Sequence, residues 1–182
     1  LYYMPILRQD PPLAVPQFVK NIDLPNAQCP NSVAFNKVSG YVYVANNFSY
    51  NVSAFKNTNF ITDIPTGEWP TFVAADNNSA VVYITALHDK VVVVDGLTVL
   101  GQIPDHYEPY DVIVNPVNGY AYVTDLDSTV QIINGLTLLA DVSITDPNAT
   151  PPNNGAGWLQ PIVVDPNTGL VYVASWSHGK MY

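Results

Sequence analysis

Residues 115–125, NPVNGYAYVTD, decide the fold, because three other segments of the chain repeat their pattern. The copies are NKVSGYVYVAN at 36–46, DNNSAVVYITA at 76–86 and DPNTGLVYVAS at 165–175. Their central tyrosines, Tyr43, Tyr83, Tyr122 and Tyr172, are 40, 39 and 50 residues apart. An extra loop, residues 146–157, accounts for the longer last interval. Repetition at a spacing of about 40 residues indicates a repeat architecture.

Each copy has the same predicted plan of short strands. An apolar strand leads into turn residues that begin with Asn or Asp, and a second strand alternates around Tyr-Val. A third and a fourth strand follow, and the dipeptides Asp95-Gly96 and Asn134-Gly135 between them are strong hairpin signals. Four short strands per ~40 residues are typical of a β-propeller blade. We therefore predict an all-β chain, a β-propeller of four-stranded antiparallel blades, of which about four are present.

These residues resemble the YVTN-type β-propeller repeat family, which is named for the tetrapeptide on its second strand. The chain carries Tyr122-Val123-Thr124-Asp125 and, more loosely, Tyr43-Val44-Ala45-Asn46, and the likeness extends over residues 30–182. The second copy departs from the pattern at Asn77-Asn78 and Ala80, which replace the usual proline and glycine. The resemblance implies a secreted or cell-surface protein, similar to surface-layer proteins, in a family mostly without known catalysis.

The repeat divides the chain into an arm and successive blades. The predicted units are an extended arm at 1–12, the outer strand of a preceding blade at 13–29, blades at 30–69, 70–108 and 109–158, and a partial blade at 159–182. The third blade includes the long loop 145–158. Two arrangements fit: a ring closed by the N-terminal strand, or a segment of a larger propeller, which we favour because open edges are rarely tolerated. The chain begins without Met, so we expect that a leader has been removed or that the chain is a piece of a longer protein.

Composition excludes several classes of partner. The 182 residues include 6 Lys and Arg against 15 Asp and Glu, which gives a net charge of −9, and 48% of them are hydrophobic. Such a chain can bury a core, but it cannot neutralise a run of phosphates, so we predict no nucleic-acid partner. No apolar stretch approaches the length of a membrane span, and Cys29 is the single cysteine.

One face of the predicted propeller collects the residues that could bind a ligand. The loops after each second strand share this face with the connections between blades, and rigid scaffolds carry function on such loops. The predicted ligand-binding face consists of Trp69, His88, Asp89, Tyr107, Asp127, Trp158 and Trp176. The competing interpretation is structural, because a tryptophan before the first strand of a blade can pack between neighbouring blades.

No complete catalytic or metal-binding motif is present, and we predict no cofactor and no metal. If the protein is an enzyme, the residues to test are His106, Glu108, Asp125 and His178, which would have to converge at the central channel. The segment Asp125-Leu126-Asp127 resembles part of a calcium loop, but the glycine and the terminal glutamate are missing. A solvated turn is the favoured interpretation of that segment.

Four sequons without a central proline are candidates for N-linked glycans: Asn47, Asn51, Asn77 and Asn148. They favour an extracellular or cell-surface location. The leading functional hypothesis is a non-catalytic propeller module that uses one loop face for assembly, adhesion or ligand binding. Its partners would be other protein chains or surface glycans, with an oligomer or larger assembly as an option. The alternatives are a propeller hydrolase, lactonase-like enzyme or lyase with a metal or His/Glu site, and a carbohydrate-binding module.

Overall fold

The computed structural model describes residues 21–88, 90–104, 108–145, 158–175 and 179–182. This part of the chain is all-β, with 15 strands, one turn of 3-10 helix at Asn47–Ser49 and no α-helix. The strands form three four-stranded sheets and one three-stranded sheet, each antiparallel and each ordered as in the sequence. The prediction of an all-β chain of antiparallel sheets is confirmed. Within the described residues the sheets do not close into a ring.

Each sheet contains consecutive strands. Sheet 1 consists of β1 (Pro30–Asn36), β2 (Tyr41–Asn46), β3 (Asn51–Lys56) and β4 (Asn59–Pro65). Sheet 2 consists of β5 (Pro70–Ala75), β6 (Val81–Ala86), β7 (Lys90–Asp95) and β8 (Thr98–Pro104). Sheet 3 consists of β9 (Pro109–Val114), β10 (Ala121–Asp125), β11 (Thr129–Asn134) and β12 (Thr137–Ser143). Sheet 4 consists of β13 (Leu159–Val164), β14 (Val171–Ser175) and β15 (Lys180–Met181).

The turn before each second strand is built on its Asn or Asp side chain. In sheet 3, Asn115 Oδ1 accepts the Val117 amide at 3.0 Å, and Gly119 reverses the chain with a φ of 75°. Sheet 2 has no glycine at this point, and Asp76 Oδ1 accepts the Asn78 amide at 2.9 Å instead. The departure of the second copy from the repeat is thus accommodated in the turn, because Asp76 makes the same kind of side-chain bond to the backbone.

The hairpins between third and fourth strands share one geometry in three sheets. Gly96 and Gly135 both have a φ of 57°, and Asn57 occupies the same position in sheet 1 with a φ of 56°. Asparagine tolerates this left-handed conformation better than most side chains, which explains the replacement. The pairing register shifts just beyond each hairpin, at Ala54/Phe55, Val93/Val94 and Ile132/Ile133.

The core lies between neighbouring sheets. Side chains alternate between the two sides of a strand, so each sheet has a front face toward the next sheet and a rear face toward the preceding one. Tyr43 of β2 lies on the front face of sheet 1 and packs against the rear-face residues Val82 and Ile84 of sheet 2. Sheets 2 and 3 enclose a second apolar cluster, and sheets 3 and 4 a third. Strands such as β7 are therefore continuously apolar, because both of their faces are buried.

Several predicted segments lie outside the described residues: the arm at 1–12, residues 13–20 of the predicted outer strand, and the long loop at 146–157. Residues 21–29, the rest of that predicted outer-strand unit, are described and contain no strand. Within the described part of the chain, no helix is long and apolar enough to cross a membrane. The first strands of successive sheets lie next to one another, β1 beside β5, β5 beside β9 and β9 beside β13. The four sheets therefore follow one another along a row that begins at sheet 1.

Candidate functional site

Two kinds of loop form one surface, which we call the loop face. In sheets 1 and 2 the connection before the sheet is tied to the loop after its second strand: the Leu87 amide donates to the Trp69 carbonyl at 3.1 Å, and the Asn47 amide donates to the Cys29 carbonyl at 3.0 Å. The end of β4 joins the same surface, because the Thr66 amide donates to the Tyr50 carbonyl at 3.3 Å. Backbone bonds at repeated positions hold these loops in place on the sheets.

The residue before the first strand of three sheets adopts a left-handed conformation. Cys29, Trp69 and Glu108 have φ values of 56°, 38° and 59°, and each precedes a proline. Proline disfavours the α region for the residue before it, and a positive φ is uncommon for residues other than glycine. Such residues cluster where the surrounding structure fixes an otherwise unfavourable backbone. Three equivalent positions therefore present their side chains from the same constrained backbone.

Trp69 and His88 contact one another on the loop face. Their ring centroids are 4.7 Å apart and their planes are inclined by 49°. Trp69 is half-buried, and His88 is exposed at a φ of 75° in the loop between β6 and β7. Lys90, the first residue of β7, lies against Gly67 on the same face, because its ammonium is 2.6 Å from the position that a Cβ on Gly67 would take. The structure thus brings together two of the predicted ligand-binding residues.

The loops of the loop face carry exposed aromatic side chains. Phe48 and Tyr50 are exposed in the loop between β2 and β3, and Trp158 is exposed before β13. The opposite turn face, formed by the turns after the first strands and the β-hairpins, exposes the aliphatic residues Val38, Val117, Leu136 and Leu170. Sequence reasoning did not single out Phe48 and Tyr50, which lie in a short loop where Tyr50 adopts a left-handed conformation with a φ of 58°.

Asp125 and Asp127 are organised around one hydroxyl group. Thr129 Oγ1 lies 2.6 Å from Asp125 Oδ2 and 2.6 Å from Asp127 Oδ1, and the Thr129 amide donates to the same Asp127 atom at 3.0 Å. Asp125 is buried, whereas Asp127 is half-buried. Among the described residues, no group of three His, Cys, Asp or Glu side chains could hold a metal ion. The contacts of this segment are those of a hydrogen-bonded turn.

The predicted enzyme residues are only partly described. Glu108 is exposed, and it precedes Pro109, which pairs with Asp125 across β9 and β10. Glu108 and Asp125 therefore lie at adjacent ends of β9 and β10, where Glu108 is exposed and Asp125 is buried. The other candidates lie outside the described residues: His106, His178, Asp89, Tyr107 and Trp176.

The sequons differ in accessibility. Asn77 is exposed in the turn between β5 and β6, and its side-chain oxygen Oδ1 accepts the Lys37 amide at 3.0 Å. Asn47 donates its side-chain amide to the Pro70 carbonyl at 3.4 Å, and Asn51 Oδ1 accepts a bond from Asn46 at 2.8 Å. Asn148 lies outside the described residues. Among the described sequons, Asn77 presents the most accessible amide.

Polar side chains at the boundaries between sheets donate or accept hydrogen bonds across those boundaries. Sequence reasoning did not single out Asn36 and Asp111 for this role. Asn36 Nδ2, fully buried, donates to the carbonyls of Asp76 and Ser79, each at 2.9 Å. Asp111 Oδ2 accepts the Ile162 amide at 3.2 Å. Burial raises the pKa of the Asp111 carboxyl, and the backbone bonds from Ile162 and Val112 only partly offset it. The sequence signal for this difference between boundaries is the alternation of Asn and Asp at the start of the four turns, at Asn36, Asp76, Asn115 and Asp165.

Comparisons with known proteins give the fold and leave function open. No family model matches the sequence, and no curated protein matches it. Among solved structures, 744 chains match. One of them, Kuenenia stuttgartiensis hydrazine synthase, is 13% identical with a TM-score of 0.67 over 91% of this chain and 51% of that chain. The chain thus spans about half the length of that structure, and likeness at this identity concerns the fold alone.

Proposed function

We propose that the protein is a non-catalytic β-propeller module of the YVTN type, whose loop face binds other protein chains or surface glycans. The four sheets are blades in this proposal, because each repeats the strand order, the Asx turn and the front-to-rear packing of the one before. The tetrapeptide at Tyr122–Asp125 and its looser copy at Tyr43–Asn46 support the family.

The observation that carries the binding function is the row of exposed aromatic side chains on the loop face. Phe48, Tyr50 and Trp158 are exposed there, and Trp69 lies against His88. Aromatic residues offer large contact areas at little cost in side-chain entropy, and they are enriched in protein interfaces and in sugar-stacking sites. Among the described residues, the turns of the turn face expose aliphatic side chains, and the exposed rings of Phe35 and Phe60 belong to strands β1 and β4.

The charge of the molecule limits the partners of this face. The net charge is −9, and Glu68 and Glu108 are both exposed on the loop face. Like charges across an interface are unfavourable, whereas neutral or basic surfaces are accepted. The proposed partners are therefore neutral glycans or neutral to basic protein surfaces, and strongly anionic partners are disfavoured.

The test is binding to an array of neutral and acidic glycans and to immobilised cell-envelope preparations from the source organism. We expect wild type to bind at least one of these surfaces. The paired variants Phe48→Ala/Tyr50→Ala and Trp69→Ala/His88→Ala should weaken that binding about tenfold or more, since aromatic anchors dominate interface energies. All four side chains lie on the loop face, so the variants should leave the sheet cores intact.

The matched control is Val38→Ala/Val117→Ala, which truncates two exposed side chains on the turn face. This control should bind as wild type does. Equal binding by wild type and both loop-face variants would contradict the proposal. So would a stoichiometric divalent ion that is lost in Glu108→Ala or Asp125→Ala, because that result would favour the hydrolase or lyase alternative.

An extracellular or cell-surface location is part of the proposal, and Asn77 is its accessible sequon. The Asn77 side chain is exposed on the turn face, where a glycan would leave the loop face open. The protein purified from its natural source should lose mass on enzymatic deglycosylation, and Asn77→Gln should reduce that loss. Unchanged mass in wild type would count against N-linked glycans.

A further inference from the structure

The hairpin between β11 and β12 contains a dipeptide that can modify itself chemically. It joins Asn134 to Gly135, and an asparagine before a glycine loses its side-chain amide readily, because a residue without a Cβ leaves the main-chain nitrogen open to approach. Asparagine is among the thermolabile residues. The chain has three such dipeptides, at 118–119, 134–135 and 154–155, and the last lies outside the described residues.

The first of these dipeptides is held by its own turn. Asn118 Oδ1 accepts the Tyr120 amide at 2.9 Å, and Asn118 Nδ2 donates to Tyr122 Oη at 3.0 Å. The Gly119 amide donates to the Asn115 carbonyl at 2.8 Å. Both reacting groups of this dipeptide, the side-chain amide and the glycine nitrogen, are therefore engaged by residues of the same short segment.

The dipeptide at 134–135 is held by another sheet. The Asn134 side chain is exposed, and it makes no hydrogen bond within the described part of the chain. Asn134 pairs with Thr137 at the end of the ladder, so the Gly135 amide lies in the two-residue loop beyond the ladder. This amide donates instead to Tyr83 Oη of sheet 2 at 2.8 Å. One hydroxyl from a neighbouring sheet therefore engages the reacting nitrogen.

The Tyr83 hydroxyl is suited to this contact in mildly alkaline water as well. Tyr83 is 2% exposed and belongs to the apolar cluster between sheets 2 and 3. Burial raises the pKa of its hydroxyl above the ordinary value, and the bond from the Gly135 amide only partly offsets this. The hydroxyl therefore stays protonated at the alkaline pH where a main-chain amide reacts fastest with a neighbouring asparagine.

The equivalent tyrosine of sheet 1 makes a different contact. Tyr43 Oη donates to the Gly96 carbonyl at 2.8 Å, and the Gly96 amide donates to the Ala80 carbonyl of its own sheet at 3.1 Å. The residue before Gly96 is Asp95, which has no side-chain amide to lose. Among the described boundaries, the contact of Tyr83 is thus the one in which a tyrosine accepts the amide of a hairpin glycine.

We propose that Asn134 is a site of spontaneous deamidation, and that the Tyr83 hydroxyl limits its rate from across the boundary between sheets 2 and 3. When the contact opens, the Gly135 nitrogen forms a bond to Asn134 Cγ. The Nδ2 group leaves as ammonia with the proton of the Gly135 amide. Water then opens the succinimide ring and leaves aspartate or isoaspartate at position 134, so water is the only other reactant.

The reaction changes the boundary that restrains it. Both products add a carboxylate to a chain whose net charge is −9. Isoaspartate also adds one carbon to the main chain at the end of β11, which moves Gly135 relative to Tyr83. The modified hairpin therefore loses its bond to sheet 2. This hairpin belongs to the turn face, so the inference is independent of binding at the loop face.

The test is peptide mapping by mass spectrometry after the full 182-residue protein has been incubated in mildly alkaline buffer. Asn134 should deamidate slowly in wild type. Tyr83→Phe should raise the first-order rate at Asn134 about threefold or more, because the loss of one hydrogen bond shifts an opening equilibrium by about that factor. Asn118 is the internal reference in the same digest, and its rate should be equal in the two proteins.

Tyr43→Phe is the matched control. It removes the equivalent hydroxyl from a fully buried tyrosine whose bond is to a carbonyl, so it should leave the rate at Asn134 unchanged. Urea unfolding of both variants measures how much stability each one loses. In urea-unfolded wild type, Asn118 and Asn134 should react at similar rates, because the contacts that distinguish them are absent.

Three results would overturn the proposal. Equal rates at Asn134 in wild type and Tyr83→Phe would show that the hydroxyl does not limit the reaction. An equal acceleration in Tyr43→Phe, or at Asn118 in Tyr83→Phe, would assign the effect to a general loss of stability. No reaction at Asn134 in either folded protein, when the unfolded chain reacts, would show that the hairpin ladder alone protects it.

Discussion

Two boundaries join a front face to a rear face through different polar contacts. They are the boundary between sheets 1 and 2 and the boundary between sheets 2 and 3. At the first, Asn36 donates to backbone carbonyls of the next sheet, and Ser32 Oγ accepts the Val73 amide at 3.2 Å. At the second, the equivalent residues are Asp76 and Phe72, and neither side chain can make those bonds.

The second boundary uses other contacts. The rings of Phe72 and Tyr110 lie 5.2 Å apart, and Thr85 Oγ1 donates to the Tyr110 carbonyl at 2.8 Å. The boundary between sheets 3 and 4 returns to the first pattern, since Asn115 Nδ2 donates to the Gly169 carbonyl at 2.8 Å and Asp111 accepts the Ile162 amide. Strand order repeats with every sheet, but the polar contacts made by the first strands and the Asx residues that follow them repeat with every second sheet.

The largest expected effect tests whether the Asn36 amide is needed at its boundary. Asn36→Asp keeps the acceptor for the Val38 amide but places a carboxylate against the carbonyls of sheet 2. We expect a loss of about 3 kcal/mol or more in the free energy of unfolding at neutral pH, because the second oxygen of the buried carboxylate would face backbone carbonyls, which cannot donate to it. Urea unfolding followed by tryptophan fluorescence measures it.

The matched control is Asp76→Asn, which introduces the other residue type at the equivalent position. Asp76 is partly exposed, and an amide oxygen can still accept the Asn78 amide. The expected change is under about 1 kcal/mol. Equal losses in the two variants would show that the boundaries do not differ as described.

The next effect tests the hydroxyl that crosses the second boundary. Thr85→Val removes the bond to the Tyr110 carbonyl and the acceptor for the Phe72 amide while it preserves shape. A loss of about 2 kcal/mol is expected, since the side chain is fully buried. Thr124→Val is the control, because in the described part of the chain Thr124 Oγ1 accepts the Asp111 amide within its own sheet and makes no bond across a boundary, and it should cost about half as much. A larger loss in Thr124→Val would be the contrary result.

The smallest effect is a pH dependence at the third boundary. Burial raises the pKa of Asp111 above its ordinary value of 3.8, so folding favours the protonated carboxyl. The stabilisation from the protonated Asp111 carboxyl is fully present below pH 3.8, and it is lost as the pH rises through the pKa of Asp111 in the folded state. Wild type should therefore gain stability relative to Asp111→Asn as the pH falls toward 3.8, measured by urea unfolding. A relative gain with rising pH would contradict this account.

The strand plan could be predicted from the sequence because its signals are local. Asx turns, the dipeptides Asp95-Gly96 and Asn134-Gly135, and the alternation around each repeated tyrosine act over a few residues. A third strand is predicted before each of these dipeptides, and β7 and β11 end at Asp95 and Asn134 even though β7 is continuously apolar. Antiparallel strand order also predicts that the loops after the second strands and the connections between sheets lie on one face.

The candidate site could be predicted only in outline. Trp69 and His88 were assigned to one face, but their ring contact depends on two left-handed residues whose conformations no local pattern specifies. Phe48 and Tyr50 were missed, because an aromatic residue in a short loop is buried or exposed according to its neighbours in space. His106, Tyr107, Trp176 and His178 stay predictions.

The sequence by itself determined the strands, their order within each sheet and the turns that join them, because hydrogen bonding along the chain and side-chain alternation act between near neighbours. Only the tertiary structure decided which face of each strand is covered, and by what. Val33 and Val73 occupy the same place in the repeat, yet one is exposed and the other is buried. The physical reason is that burial depends on the sheet packed above, and that sheet lies about 40 residues away in the sequence.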